Sequence, residues 1–186
     1  MSIIVLTAIV LILIFGTILT YNKLVRLRNM VKEGWSGIDV QLKRRAVLIP
    51  NLVETVKGYV SHERSLLSEI TDLRSRSFQA QKIGEKGEIE TALSRSLGNL
   101  MAVAEGYPDL KANQNFLELQ KELTDIEEQI QTARRYYNGT VRNLNIAVES
   151  FPSNVVAGIF HFTQAEFFAI DDAGDRQDPK VSFGGK

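Results

Sequence analysis

The stretch from Ser2 to Asn22 contains no charged residue, and Ile3 to Leu19 is built almost entirely of Ile, Leu, Val, Ala and Phe. About 20 apolar residues at 1.5 Å each span a hydrocarbon layer of about 30 Å. A segment crossing lipid must satisfy every backbone group internally, so it is helical. A cleaved signal peptide is the competing reading. Against it stand the absent basic n-region, a run longer than an ordinary signal core, and no A-x-A-like site. A buried core helix keeps a polar face, which this segment lacks. The first element is therefore expected to be an uncleaved transmembrane anchor.

Lys23, Arg26, Arg28 and Lys32 follow the anchor, and Met1 and Ser2 before it carry no side-chain charge. The positive-inside bias then puts the N-terminus out and the rest in the cytoplasm, as a single-pass inner-membrane protein. Three units are predicted: an anchor over 1–22, a helical bundle over 23–168 and an extended tail over 169–186.

Behind the anchor, Leu24, Leu27, Val31, Trp35, Ile38 and Leu42 continue one helical stripe. Gly34 and Gly37 lie within it and are read as points of close helix packing, with a flexible joint at the membrane surface as the alternative. Pro50 cannot donate a backbone hydrogen bond and clashes one turn back. The favoured reading is a tight reversal before Val47, with Pro50 in the first turn of a new helix reaching toward Gln81. One long kinked helix is the alternative, because the apolar phase continues across the proline.

Gly84 and Gly87 read as a loop. A third helix is expected from Glu88 to about Glu105, ended by Gly106-Tyr107-Pro108. The fourth has the most regular pattern: Phe116, Leu119, Leu123, Ile126, Ile130, Ala133, Tyr137, Val141, Leu144 and Val148 alternate by three and four. So long a heptad repeat makes a coiled-coil-like seam. Phe151-Pro152 stops it, and Ser153 or Asn154 is expected to cap a short last helix. The fold class is thus all-α: a transmembrane helix, an antiparallel four-helix bundle and a short C-terminal helix.

Five of the nine Phe fall between 151 and 168. They are read either as a lid on the bundle or as an interaction surface. Val156, Phe160, Phe167 and Phe168 are the candidates for contact with a partner or lipid. Lys23, Arg26 and Arg28 suit anionic headgroups, at about 1 kcal/mol per charge. Lys43 and Arg44, about 25–30 Å from the membrane along a straight helix, suit bundle salt bridges or an interaction patch, with Asn51 beyond them. Arg45 falls on the core-facing phase and should find an acidic partner, since an unpaired buried charge is very costly.

No cofactor or catalytic motif accompanies these residues. There is no Cys, and neither His62 nor His161 has the Glu-x-x-His spacing of a bundle metal site. His62-Glu63 lacks a second His four residues on, and no phosphate-binding glycine loop occurs. Glu127-Glu128 and Asp171-Asp172 are read as solvated charges. Asn138-Gly139-Thr140 matches the glycosylation pattern but falls mid-helix. Lys and Arg together equal Asp and Glu at 22 each, so no excess of positive charge points to nucleic acid. No enzyme activity, metal, cofactor or small-molecule substrate is predicted.

The chain resembles the LemA family of bacterial membrane-anchored proteins. The matching blocks are Tyr21-Asn22-x-Leu24-Val25-x-Leu27-Arg28-Asn29, Trp35-Ser36-x-Ile38 through Arg45, Leu48-Ile49-Pro50-Asn51 through Tyr59, and His62-Glu63. Further on come Tyr107-Pro108-x-Leu110-Lys111-Ala112, Ala133 through Asn138, Phe151-Pro152-Ser153-Asn154 and Pro179 through Phe183. Val47 stands where the family usually has Asp, and Gly34 and Gly139 where Ala and Asp are common. The resemblance implies a four-helix soluble bundle behind one transmembrane helix in a bacterial plasma membrane. It implies no established enzymatic activity, and genomic company with membrane metalloproteases or a small phosphatase-like membrane protein. The expected function is a non-enzymatic membrane scaffold or adaptor that binds protein partners or itself. The alternative is a lipid-surface or envelope-stress sensor working with a membrane protease.

Overall fold

The computed structural model describes residues 1–60 and 63–168. The tail expected over 169–186, and His62, lie outside the described residues. Six helices follow in order: α1 Ser2–Lys57, α2 Arg64–Gln79, α3 Ile83–Ala104, α4 Pro108–Lys111, α5 Gln114–Glu149 and α6 Ser153–Ile159. No strand occurs among the described residues.

Helix α1 is two devices in one rod. No residue of its apolar first part is buried against the bundle. The hydroxyls of Thr7, Thr17 and Thr20 donate to the carbonyls of Ile3, Leu13 and Gly16 at 2.8–2.9 Å. Those polar atoms therefore need nothing from the surroundings, as lipid requires. From Leu24 onward the same helix buries one face, through Val31, Ile38, Leu42, Ile49, Leu52 and Val56.

Helix α5 packs antiparallel along that face. Its predicted seam holds throughout, with Phe116, Leu123, Ile126, Ile130, Tyr137, Val141 and Leu144 buried. Asn113 caps its start by accepting from the Phe116 N–H at 3.0 Å. At Gly34 the two helices approach closely: a Cβ there would sit 3.1 Å from the Tyr137 Cα. Gly37, expected to share that role, faces open space.

The reversal expected before Val47 does not occur. Helix α1 runs through Pro50 to Lys57, and the turn falls between Gly58 and α2. Pro50 is on the exposed side of the rod, and the Ala46 carbonyl that it leaves without a helical donor accepts instead from Arg74 Nε of α2, at 2.7 Å. The lost hydrogen bond, one of the two objections to an internal proline, is thereby made good. The loop expected at Gly84 and Gly87 is also absent, since both lie inside α3. Burial of Gly87 and Ile89, together with Ile83 packing against the cluster that holds Ile38, Leu42, Ile126 and Ile130, outweighs about 1 kcal/mol of poor propensity per glycine.

Helices α2 and α3 form an antiparallel hairpin against the membrane-distal half of the α1–α5 pair. Its core gathers Leu52, Val56, Ile70, Leu93, Leu100 and Leu110, each almost wholly removed from solvent. At the other end Leu24 packs with Ala147, Val156, Ala157 and Phe162. Neither Ser153 nor Asn154 caps α6. Pro152 occupies that position, and the Ser153 hydroxyl donates back to the Ser150 carbonyl at 2.9 Å.

After α6 the chain turns back along α5 without regular secondary structure. The side-chain amide of Asn145 donates to the Ala165 carbonyl at 3.0 Å and accepts from the Ala165 N–H at 2.8 Å. Asn138 does the same for Phe168, at 3.2 and 3.0 Å. Seven helical residues rise about 10 Å, and three near-extended residues cover about the same distance. Two asparagines seven apart therefore hold residues 165 and 168 in register. Tyr137 adds a hydroxyl bond to the Glu166 carbonyl at 2.7 Å.

Candidate interaction surface and the charged core

Arg45 projects from α1 into the middle of the bundle and is 1% exposed. Its guanidinium is ion-paired with Glu90 of α3 and, at 2.6 Å, with Glu127 of α5. It also donates to the Ser94 hydroxyl at 2.6 Å and to the Glu90 carbonyl at 3.3 Å. Glu90 accepts from Ser77 of α2, and Glu127 accepts from Ser94 and Gln131. One arginine thus joins all four long helices. The acidic partner anticipated for Arg45 is present twice over, whereas Glu127 is not the solvated charge that its sequence setting suggested. Its helical phase, one position past the seam residue Ile126, turns it half inward. Arg45 Nε has no hydrogen-bond partner among the described residues.

This centre has the chemistry of a structural clamp. It holds one cation and two carboxylates, and the described residues contain no group of three or more His, Cys, Asp or Glu placed to share a metal ion.

The interaction candidates separate into three places. Lys23, Arg26 and Arg28 are exposed around α1 where its charge-free segment ends. The Arg28 guanidinium also lies 5.0 Å from the Phe162 ring centre. Lys43, Arg44 and Asn51 are exposed on the outer face of α1. Lys43 pairs with Asp39 at 2.6 Å, and Lys86 approaches the same carboxylate at 3.5 Å. The Lys43 hydrogen bond holds the Asp39 carboxyl below its usual value, against partial burial, and Lys86 adds its attraction. Arg44 donates to Gln41 at 3.1 Å.

The third group is divided. Phe160 and Phe167 are roughly half exposed, but Val156 and Phe168 are buried. Val156 packs against Leu24, and Phe168 sits at 5.8 Å from Trp35 and is wholly covered. Those two stabilise the fold and offer no surface, which corrects their place among the contact candidates. Phe151, Val155 and Ile159 are exposed in their stead. Helical spacing held the signal, because Val155 and Ile159 share a face that Val156 does not.

An apolar helix that continues as one wall of an antiparallel bundle with a charged core defines a membrane-associated, all-helical protein. The family model for the LemA family matches residues 34–183, and the chain belongs to that family. It is 27% identical over 184 residues to Magnetosome protein MamQ 2 of Paramagnetospirillum magneticum, covering 85% of this chain and 68% of that one. Magnetosome protein MamQ of Magnetospirillum gryphiswaldense is 26% identical over the same shares. Protein LemA of Metamycoplasma hominis is 30% identical over 138 residues, 73% of this chain and 63% of its own.

Proposed function

We propose that this protein is a non-enzymatic scaffold or adaptor, tethered to a bacterial membrane by α1, whose bundle binds protein partners or further copies of itself. The observation that carries the reading is the outer stripe of α1. Val40, Arg44, Val47, Asn51 and Glu54 recur by three and four and are all exposed, Val40 by 51% and Val47 by 67%. Two exposed valines seven residues apart, flanked by polar and charged positions on a helix already packed on its other side, suit a further helical contact. The acidic Glu118 and Glu122 of α5 border the same grooves as Arg44, Val47 and Asn51. A two-fold pair of chains can then set the basic row of each against the acidic row of the other. The basic collar after the anchor supports an N-out orientation with the bundle in the cytoplasm.

The test uses the absence of Cys. Val47→Cys in the full chain is crosslinked in intact membranes, and the trapped product is identified by mass spectrometry. A ladder of this chain alone supports self-assembly, and one recurrent foreign protein supports an adaptor. Random neighbours only would sink the reading. The second reading, lipid-surface or envelope-stress sensing beside a membrane protease, is favoured by the exposed Lys23, Arg26 and Arg28. Neutralising those three should flatten the salt dependence of lipid association, and an unchanged dependence counts against it.

A further inference from the structure

We propose that the bundle touches the membrane a second time: Phe151 and the outward face of α6 lie in the interfacial layer of the bilayer, beside the anchor. From Phe151 to Phe160 there is no charged residue. Phe151 is 83% exposed, Val155 54%, Ile159 63% and Phe160 47%. The opposite face of α6 is occupied, with Val156 and Ala157 packed on Leu24. Four large apolar side chains on and beside this short helix therefore keep about half or more of their surface uncovered by the described residues. Contiguous exposed apolar surface marks a contact site.

Height along α1 says what covers it. The Tyr21 ring meets Phe160 at 4.7 Å, and Thr20 lines the same recess as Phe151 and Pro152. Helix α6 is thus level with the end of the charge-free segment, where an anchor leaves the hydrocarbon. Lys23, Arg26 and Arg28 follow within the next two turns and are exposed, at the height of lipid phosphates. The apolar face with exposed Asn154 beside it has the composition of an interfacial contact, and Tyr21 is an ordinary residue for that depth. A single anchor leaves a bundle free to lean and rotate, whereas an anchor with a foot beside it fixes which face meets the membrane. The outer stripe of α1 lies toward the distal end, so this contact stands or falls independently of the proposed partner surface.

The full chain is reconstituted in phosphatidylcholine–phosphatidylglycerol vesicles carrying a single labelled cysteine. Val155→Cys and Ile159→Cys report on the foot, and Phe78→Cys, exposed on α2, is the control. These positions are exposed, so helical circular dichroism should match the parent and exclude misfolding. An environment-sensitive fluorophore at 155 or 159 should shift to the blue and lose most of its intensity to lipids brominated near the top of the acyl chain. The label at 78 should remain aqueous and unquenched. Aqueous, unquenched labels at 155 and 159 would overturn the proposal. So would labels that are shielded yet unaffected by brominated lipid and return to water on dilution with lipid, because a second copy would then be the cover.

Discussion

The two ends of the α1–α5 pair are closed by different means. At the distal end four helices meet, and the interior is thick enough to hold charge. Arg45 is buried there because Glu90, Glu127, Ser94 and a main-chain carbonyl surround it. At the membrane-proximal end only α1 and α5 run side by side, and no such interior exists. That end is finished by a short helix and by an irregular strap held on two asparagines. Burial of charge needs partners from several directions, which a pair of helices cannot provide. Closure by polar stitching leaves apolar surface outside, which a nearby bilayer can take.

The sharpest way to break the distal closure is Arg45→Leu. Glu90 is 4% exposed and would be left as a buried carboxylate without its cation. Loss of one partner of such a pair costs about 3–5 kcal/mol. Urea titration of the full chain in mild detergent, followed by helical circular dichroism, should show that loss. Replacing Glu90 by Leu in the same chain should restore part of it, because the orphaned charge is then gone. A change within about 0.5 kcal/mol, the range of ordinary surface substitutions, would mean that water already reaches the network.

The second effect concerns the proline in the same half. If Arg74 stands in for the missing donor at Ala46, Arg74→Ala should cost about 1–3 kcal/mol, the price of a buried acceptor left unmet by a charged donor. In a Pro50→Ala background the Ala46 carbonyl regains a helical N–H, and the same change should cost much less. A double-mutant cycle reads this coupling directly. Equal costs in both backgrounds would leave Arg74 as a packing residue, with its guanidinium 5.4 Å from the Phe78 ring.

Pro50 also marks the limit of what could be read from sequence. The anchor, the α5 seam and the need of Arg45 for an acid all follow from local pattern, because periodicity and charge cost act within a few turns. A proline tolerated in mid-helix depends on a side chain 24 positions away in sequence, on a helix whose register periodicity does not specify. Glu90 was invisible for the same reason, since nothing local distinguishes it from solvated Glu88. Among the contact candidates, the exposure of Lys23, Arg26, Arg28, Lys43, Arg44 and Asn51 was legible from helical phase on α1. Val156 and Phe168 were not, because a short helix and a returning strap have no long repeat to read.

The proximal end is tested through the strap. Asn138→Ala with Asn145→Ala removes both pairs of stitches, each bond contributing about 1 kcal/mol. Hydrogen exchange at the Ala165 and Phe168 amides should speed up well before exchange in the core, as local opening would give. Tyr137 adds a pH arm. Burial, reinforced by the charge of Glu166, pushes its hydroxyl up to about 12 from the ordinary 10. Its contribution is full below pH 10 and disappears as pH rises through about 12. Tyr137→Phe should therefore lower stability at neutral pH and abolish that part of the alkaline loss. An alkaline profile unchanged by Tyr137→Phe would place the sensitive group elsewhere, and Tyr107, raised by its hydrogen bond to Glu63, is the next to replace.

The smallest effect lies at the turn that sends the strap back. His161 has φ of 56°, the left-handed region. Its N–H donates to the Gly158 carbonyl at 3.4 Å, and the Phe162 N–H donates to the Ala157 carbonyl at 2.9 Å. This pair of bonds is the Schellman closure, in which glycine is the usual residue. A side chain in that conformation costs about 1 kcal/mol or more. Glycine would remove that strain but add freedom to the unfolded chain, so His161→Gly should stabilise by only about 0.5 kcal/mol. His161→Val should destabilise, because a branched Cβ tolerates this region worst. The order Gly above His above Val, read from urea midpoints, would show that backbone conformation governs the turn. Histidine above both would mean that the imidazole itself makes a stabilising contact at the proximal end, and the strap would then owe its direction to a side chain.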